Sequence, residues 1–221
     1  MKISHIFAAA VLLTLSACNA DTNAGSVSDN TAKQRVECSA DSLYSFVEAQ
    51  TAFGARVPNS EAHSKCVDYL SETFKRYGAQ VTLQTADLKA YDGKMLHSTN
   101  IMASFNPSNA NRFLIASHYD SRPWSDEESL KVDAAKPVMG ANDGASGVAV
   151  LLELARLISQ DTTITAGVDL ICFDSEDYGV STVENSFCLG SQYWSRQARS
   201  NGYKARFGIL LDMVGGYDAR F

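Results

Sequence analysis

Residues 148–158 read VAVLLELARLI and residues 168–173 read VDLICF. The first run is apolar almost all the way round a helix, and such a helix belongs packed against a sheet rather than laid on a surface. The second is short, apolar and strand-like. A buried helix leading into a buried strand is the repeating unit of a parallel sheet, so this pair of runs sets the fold class. Working outward, residues 80–88, 99–105 and 112–117 are further extended runs, a helix lies near 192–200, and GILL at 208–211 is another apolar strand. Asn106, Pro107, Ser108 and Asn109 are turn formers, which predicts a hairpin joining the runs at 99–105 and 112–117. Residues 42–53 and 60–77 carry apolar side chains on one stripe each and stop at Gly54 and Gly78, with a turn containing Pro58 between them. The expectation is one domain over 37–221. Its fold is α/β, a three-layer sandwich with a central mixed, mainly parallel sheet covered by helices on both faces.

Composition fits that picture and narrows the function. The chain of 221 residues is 45% apolar and 20% charged, as ordinary globular proteins are. Its 19 Lys and Arg against 25 Asp and Glu leave −6, with no basic run, so a nucleic-acid partner is excluded. Lys2 and the apolar run from Ile6 to Leu15 read as an export signal over 1–17, too short for a membrane span of about 20 residues. Leu15-Ser16-Ala17-Cys18 is similar to a bacterial lipobox, which makes Cys18 the candidate lipidation site. An exported bacterial lipoprotein of the cell envelope follows, anchored by acyl chains on the periplasmic or the cell-surface side. Residues 18–36 are polar and lack aromatics, the composition of a flexible tether. Export leaves Cys38, Cys66, Cys172 and Cys188 free to form up to two disulfides, although Cys172, inside a strand, reads better as a buried thiol. There is no CxxC pair to suggest a thiolate zinc site.

Ligands of open α/β sheets bind outside the carboxyl ends of the strands. There FLIAS runs into His118-Tyr119-Asp120, the buried helix follows Gly140-Ala141-Asn142-Asp143-Gly144-Ala145-Ser146-Gly147, VDLICF runs into Asp174-Ser175-Glu176-Asp177, and GILL runs into Asp212. Each acid taken singly is an ordinary turn residue. Three strands ending in acids beside a glycine-rich turn carrying Asp143 make a cluster that is costly without a cation, and one imidazole with several carboxylates suits zinc. Phosphate-loop, nucleophile-elbow and HExxH patterns are absent from the sequence, and Ser146 has no evident base. His63, on an expected surface helix, and His97, just before a strand, are set aside as ligands.

Together His118-x-Asp120, the Gly140 to Gly147 turn, Asp174-Ser-Glu176-Asp177 and Leu211-Asp212-Met213-Val214-Gly215 resemble the zinc exopeptidase superfamily of bacterial leucine-type aminopeptidases and glutaminyl-peptide cyclotransferases, over roughly residues 40–221. Closer likeness to the cyclotransferases lies in Asn100-Ile101 with Asn106-Pro107, and in the long stretch 178–189 ending in Asn185-Ser186-Phe187-Cys188-Leu189-Gly190-Ser191. The Asp143 to Gly147 segment looks more aminopeptidase-like.

The resemblance implies that Asp143 is a shared zinc ligand and Asp177 a second one, standing where the family usually has Glu. It makes Glu176 the proton shuttle, and it has Asp120 orient His118. His118 and Asp212 match ligands of a second zinc in aminopeptidases. In cyclotransferases the matching residues persist with one zinc, and the acid joins the proton network. A cis peptide after Asp143 is also implied. The family's remaining ligand is a His on a late loop, whereas no His follows His118 here. With Phe221 soon after the last strand and no closing helix, a truncated chain is expected, weak in zinc and inactive as it stands. Two activities on free peptide N-termini are implied: cyclisation of N-terminal Gln with one zinc, or removal of N-terminal residues with two. A lipoprotein keeping the fold without chemistry is the third alternative.

Overall fold

The computed structural model describes residues 37–126 and 135–217, so the signal, Cys18 and the tether lie outside the described residues. Helix α1 (Ala40–Thr51) starts where the Ser39 hydroxyl accepts from Ser42 N, and α2 (Glu61–Arg76) where Ser60 does the same for His63 N. Cys66, Leu70 and Phe74, spaced four apart on α2, are fully buried.

Five strands form the sheet: β1 (Gln80–Lys89), β2 (Met95–Phe105), β3 (Arg112–His118), β4 (Gly167–Phe173) and β5 (Gly208–Leu210), in the spatial order β1-β2-β4-β3-β5. The β3–β4 and β3–β5 pairs are parallel, whereas β1–β2 and β2–β4 are antiparallel. The sheet is therefore mixed and flanked by helices, as expected.

The expected hairpin between 99–105 and 112–117 does not form. The hairpin is β1–β2, and β4 lies between β2 and β3. β4 is buried at every position and so belongs in the middle of the sheet. The loop formers bond to the chain leading into β4: Asn106 donates to the Ile164 and Ala166 carbonyls and Asn109 to that of Thr165. Spanning two strand spacings takes about 10 Å, well within the reach of six residues at about 3.3 Å each.

Helix α3 (Ala145–Gln160) covers one face of the sheet. Val148, Leu151, Leu152 and Ala155 are fully buried there beside Ile101, Ala103, Leu170 and Cys172, each leucine contributing about 2 kcal/mol. A Cβ on Gly147 would stand 2.3 Å from Ser117 Oγ, so only glycine lets α3 approach β3 this closely. Glu153, the one acid in the buried helix, accepts from Arg156 and from Ser39 N, which ties the start of α1 to α3. On the other face Trp194 of α4 (Leu189–Ser200) packs against Ile171 and Phe173.

Three local expectations are corrected. His63 is buried, not on a surface, because Asp174 lies beneath α2 and takes its Nε2 at 2.8 Å. The four described cysteines are free thiols, with Cys66 and Cys172 both buried. His97 lies within β2, paired with Asp87 in solvent. Among the described residues no helix is long and apolar enough to cross a membrane.

Candidate metal centre

The parallel strands deliver their carboxyl ends to one place. β3 ends at His118, whose side chain is 3% exposed. Its Nε2 lies 2.8 Å from Asp143 Oδ1 and 3.4 Å from Asp212 Oδ1, while Nδ1 lies 3.4 Å from Asp120 Oδ1 and 3.9 Å from Glu176 Oε2. One ligand atom from each of His118, Asp143 and Asp212 fits within 4.8 Å of the others. Asp143 and Asp212 are 37% and 49% exposed, so an ion arriving from solvent meets them before the imidazole.

Local structure explains the convergence. The Asp143–Gly144 peptide is cis, and a Cβ at residue 144 would stand 2.3 Å from the His118 carbonyl oxygen and 2.7 Å from Nε2. Glycine is what allows Asp143 to lie against His118. Asp212 is brought in by the start of α3: Val214 N donates to Ser146 Oγ at 3.1 Å and Gly215 N to Asn142 Oδ1 at 2.8 Å. Ser146 thus serves the backbone.

Asp120 is fully buried and accepts from the main-chain N–H groups of Glu176 and Asp177 at 3.0 and 3.1 Å. It therefore fixes the turn after β4 as well as facing His118. Asp177 is not among the three grouped ligands. Its carboxylate accepts from Arg122 Nη1 at 3.2 Å, and that guanidinium also binds the Asp177 and Gly179 carbonyls. Burial, followed by the charges of Asp143, Asp120 and Glu176, pushes Asp177 up to about 7 against the pull of Arg122. Of the four expected ligands, His118, Asp143 and Asp212 are grouped, with both carboxylates facing Nε2, while the Asp177 carboxylate is held by Arg122 and feels the charge of Asp143.

Glu176 is raised above the usual carboxyl range by burial, with the Cys188 thiol and His118 opposing. Cys188 donates Sγ–H to Glu176 Oε1 at 3.0 Å, and its N–H donates to the Glu176 carbonyl at 2.8 Å. The stretch 178–189 therefore folds back onto the proposed shuttle. Burial alone would lower His118, but Asp120, Asp143 and Asp212 outweigh it and hold it well above its ordinary value.

These residues fit a divalent cation. Both ring nitrogens of His118 are buried without an aligned hydrogen bond, so the approaches of the acids to them are charge contacts only. Carboxylates crowded round an orphaned imidazole nitrogen are the donor set that zinc takes. Zinc and a proton would compete for Nε2.

Arg56, Arg122, Asn142 and Cys188 were not singled out as functional by sequence reasoning. Each sits in a turn or helix start whose composition says nothing about where the side chain points.

Residues 100–221 match peptidase family M28. The chain is 33% identical over 171 residues to the uncharacterized protein YfbL of Escherichia coli (strain K12), covering 77% of this chain and 47% of that one. It superposes on Porphyromonas gingivalis glutaminyl cyclase with a TM-score of 0.80 at 48% identity, covering 83% of this chain and 64% of the other. It is also similar to a leucine aminopeptidase precursor from Bacteroides thetaiotaomicron VPI-5482, with a TM-score of 0.78 at 47% identity over 83% of this chain and 65% of that one. The chain spans about half the length of the curated relative and just under two thirds of these solved chains.

Proposed function

Because the chain belongs to peptidase family M28, we propose that the centre around Asp143 holds one zinc ion and serves a glutaminyl-peptide cyclotransferase, which closes the N-terminal Gln of exported peptides or proteins to pyroglutamate. The observation that carries this reading is Glu176, a carboxyl group raised by burial, 3.9 Å from His118 Nδ1 and covered by the long stretch that ends at Cys188. The 48% identity to a glutaminyl cyclase supports it.

In the reaction the substrate's α-amine nitrogen forms a bond to its own side-chain amide carbon, the bond from that carbon to the amide nitrogen breaks, and ammonia leaves. Zinc held by Asp143 with its neighbours Asp177, His118 or Asp212 would polarise the amide carbonyl. Glu176 takes the proton from the attacking amine and returns it to the departing ammonia, the task for which a raised carboxyl pKa is suited. Asp212 faces His118 and supports the shuttle by keeping negative charge at the rim. Asp120 holds the Glu176-Asp177 backbone in place by accepting its two N–H groups.

The grouping of His118 and Asp212 around a shared Asp143 favours a second reading, aminopeptidase action with two zincs. Ammonia release from Gln-peptides without any free amino acid is the expected result for the full-length protein. Release of Leu or Ala, with two zincs bound per chain, would replace the first reading by the second.

The address of the protein is part of the proposal: acylation at Cys18 anchors it in the bacterial cell envelope, supported by Leu15-Ser16-Ala17-Cys18 after an apolar run. Labelling with radioactive palmitate should vanish in Cys18→Ser. Unchanged labelling would contradict the anchor.

A further inference from the structure

We propose that Arg56 is a positioning residue that fixes the separation of His118 and Asp143, an inference that rests on the zinc reading above. Arg56 lies in the turn between α1 and α2, far in sequence from both ligands, and its side chain is wholly buried. Nε donates to the Tyr119 carbonyl at 3.0 Å, Nη1 to that of Met139 at 2.6 Å and Nη2 to that of Gly140 at 2.7 Å. Tyr119 directly follows His118, while Met139 and Gly140 begin the turn that carries Asp143. One planar fork therefore joins the end of β3 to the approach to α3, the two segments whose spacing sets the distance from Nε2 to Asp143.

The surroundings are built around this fork. Ser121 N donates to the Arg56 carbonyl at 3.2 Å, and Ala145 N to the Gly140 carbonyl at 3.2 Å, so the same loop is held from both sides. A Cβ on Gly140 would stand 2.8 Å from Nη2, which leaves the guanidinium no slack. Arg56 makes no ion pair with a carboxylate among the described residues; its hydrogen bonds go to main-chain carbonyls. Burial lowers its pKa, and the charges of Asp120 and Asp143 work against that loss. The centre's carboxylates thus supply at a distance the negative charge that a buried cation needs. Lysine would keep the charge, but it lacks a rigid fork able to reach three carbonyls at once.

The test measures zinc affinity of the full chain by competition with a chromophoric chelator. Arg56→Lys and Arg56→Ala should each weaken zinc by about 10- to 100-fold, the loss typical of residues that orient ligands without touching the metal. Free guanidinium at millimolar concentration should recover part of the Arg56→Ala loss. Arg112→Met, which removes a half-buried guanidinium paired with Asp169 at the opposite end of β3, should lower thermal stability and leave zinc affinity unchanged. If Arg56→Ala does not fold, the visible spectrum of cobalt-loaded Arg56→Lys carries the test, and it should differ from wild type. Zinc affinity and cobalt spectrum equal to wild type in Arg56→Lys would overturn the positioning role. A wild-type chain that binds no zinc would instead overturn the metal reading beneath it.

Discussion

The two ends of β3 and β4 both bury carboxylates, and they treat them in opposite ways. At the start of the strands Asp169 accepts from Arg112 Nε at 2.8 Å and from Arg112 Nη2, from Ser104 Oγ at 2.6 Å and from Tyr203 OH at 2.7 Å. Burial would raise its pKa, but these donors outweigh it and the group lies below the ordinary range. At the far end Asp143, Asp212 and Glu176 approach one imidazole, and Asp177, which accepts from Arg122, is pushed up to about 7. The first end is complete as protein alone. The second has more negative charge than its own donors satisfy, and that imbalance is what a divalent ion relieves.

The sharpest way to break the comparison is to unbalance the satisfied end. Asp169→Ala leaves the half-buried Arg112, Ser104 and Tyr203 without their shared acceptor and should cost about 3 kcal/mol in urea denaturation, with zinc affinity unchanged. At the other end Glu176→Gln removes only the proton carrier. It should lower kcat for cyclisation by about 100-fold or more while zinc affinity stays at the wild-type level; a parallel loss of zinc would make Glu176 a ligand instead. Asp143→Asn should cut zinc affinity by more than the roughly 10- to 100-fold lost with residues that merely orient ligands. The metal-free form should lose far less stability than Asp169→Ala does, because the charge that leaves repels Asp177 as well as attracting His118. A metal-free form destabilised as much as Asp169→Ala would mean that the two ends are alike.

His63 pairs with Asp174 just beyond the carboxyl end of β4, and it gives the smallest effect. Burial pulls its pKa down, but the hydrogen bond and charge of Asp174 outweigh this and raise it above 6.5. Protonated His63 therefore stabilises the fold fully below about pH 6.5, and the contribution is lost as pH rises through the higher folded value. His63→Gln should cost about 1–3 kcal/mol at acid pH by leaving buried Asp174 short of a charged donor. Denaturant midpoints measured against pH should show the gap to wild type closing as pH rises. A gap that widens towards alkaline pH would contradict the pairing.

How much of this was legible in sequence depended on whether the signal was local. The VAVLLELARLI helix and the VDLICF strand announced themselves, because burial on all sides leaves a run with no polar face. His118, Asp143, Glu176, Asp177 and Asp212 were legible as acids and an imidazole at strand ends. The order β2-β4-β3 was not, since the Asn106 to Asn111 turn chemistry is the same whether the chain folds back directly or steps over a neighbour. His63 misled because its helix face is defined by Asp174, 111 residues away. Arg56 and Arg122 left no trace: a guanidinium in a turn is normally solvated, and only the folded carbonyls around it show that it points inward.

The central claim, that a cation belongs beside Asp143, is most directly tested by anomalous diffraction at the zinc edge on crystals of the full chain grown with zinc. The account predicts a peak about 2.0–2.2 Å from an Asp143 carboxylate oxygen, with further ligands drawn from His118, Asp177 or Asp212. Well-ordered Asp143 without a peak beside it, or zinc bound only elsewhere on the chain, would contradict it.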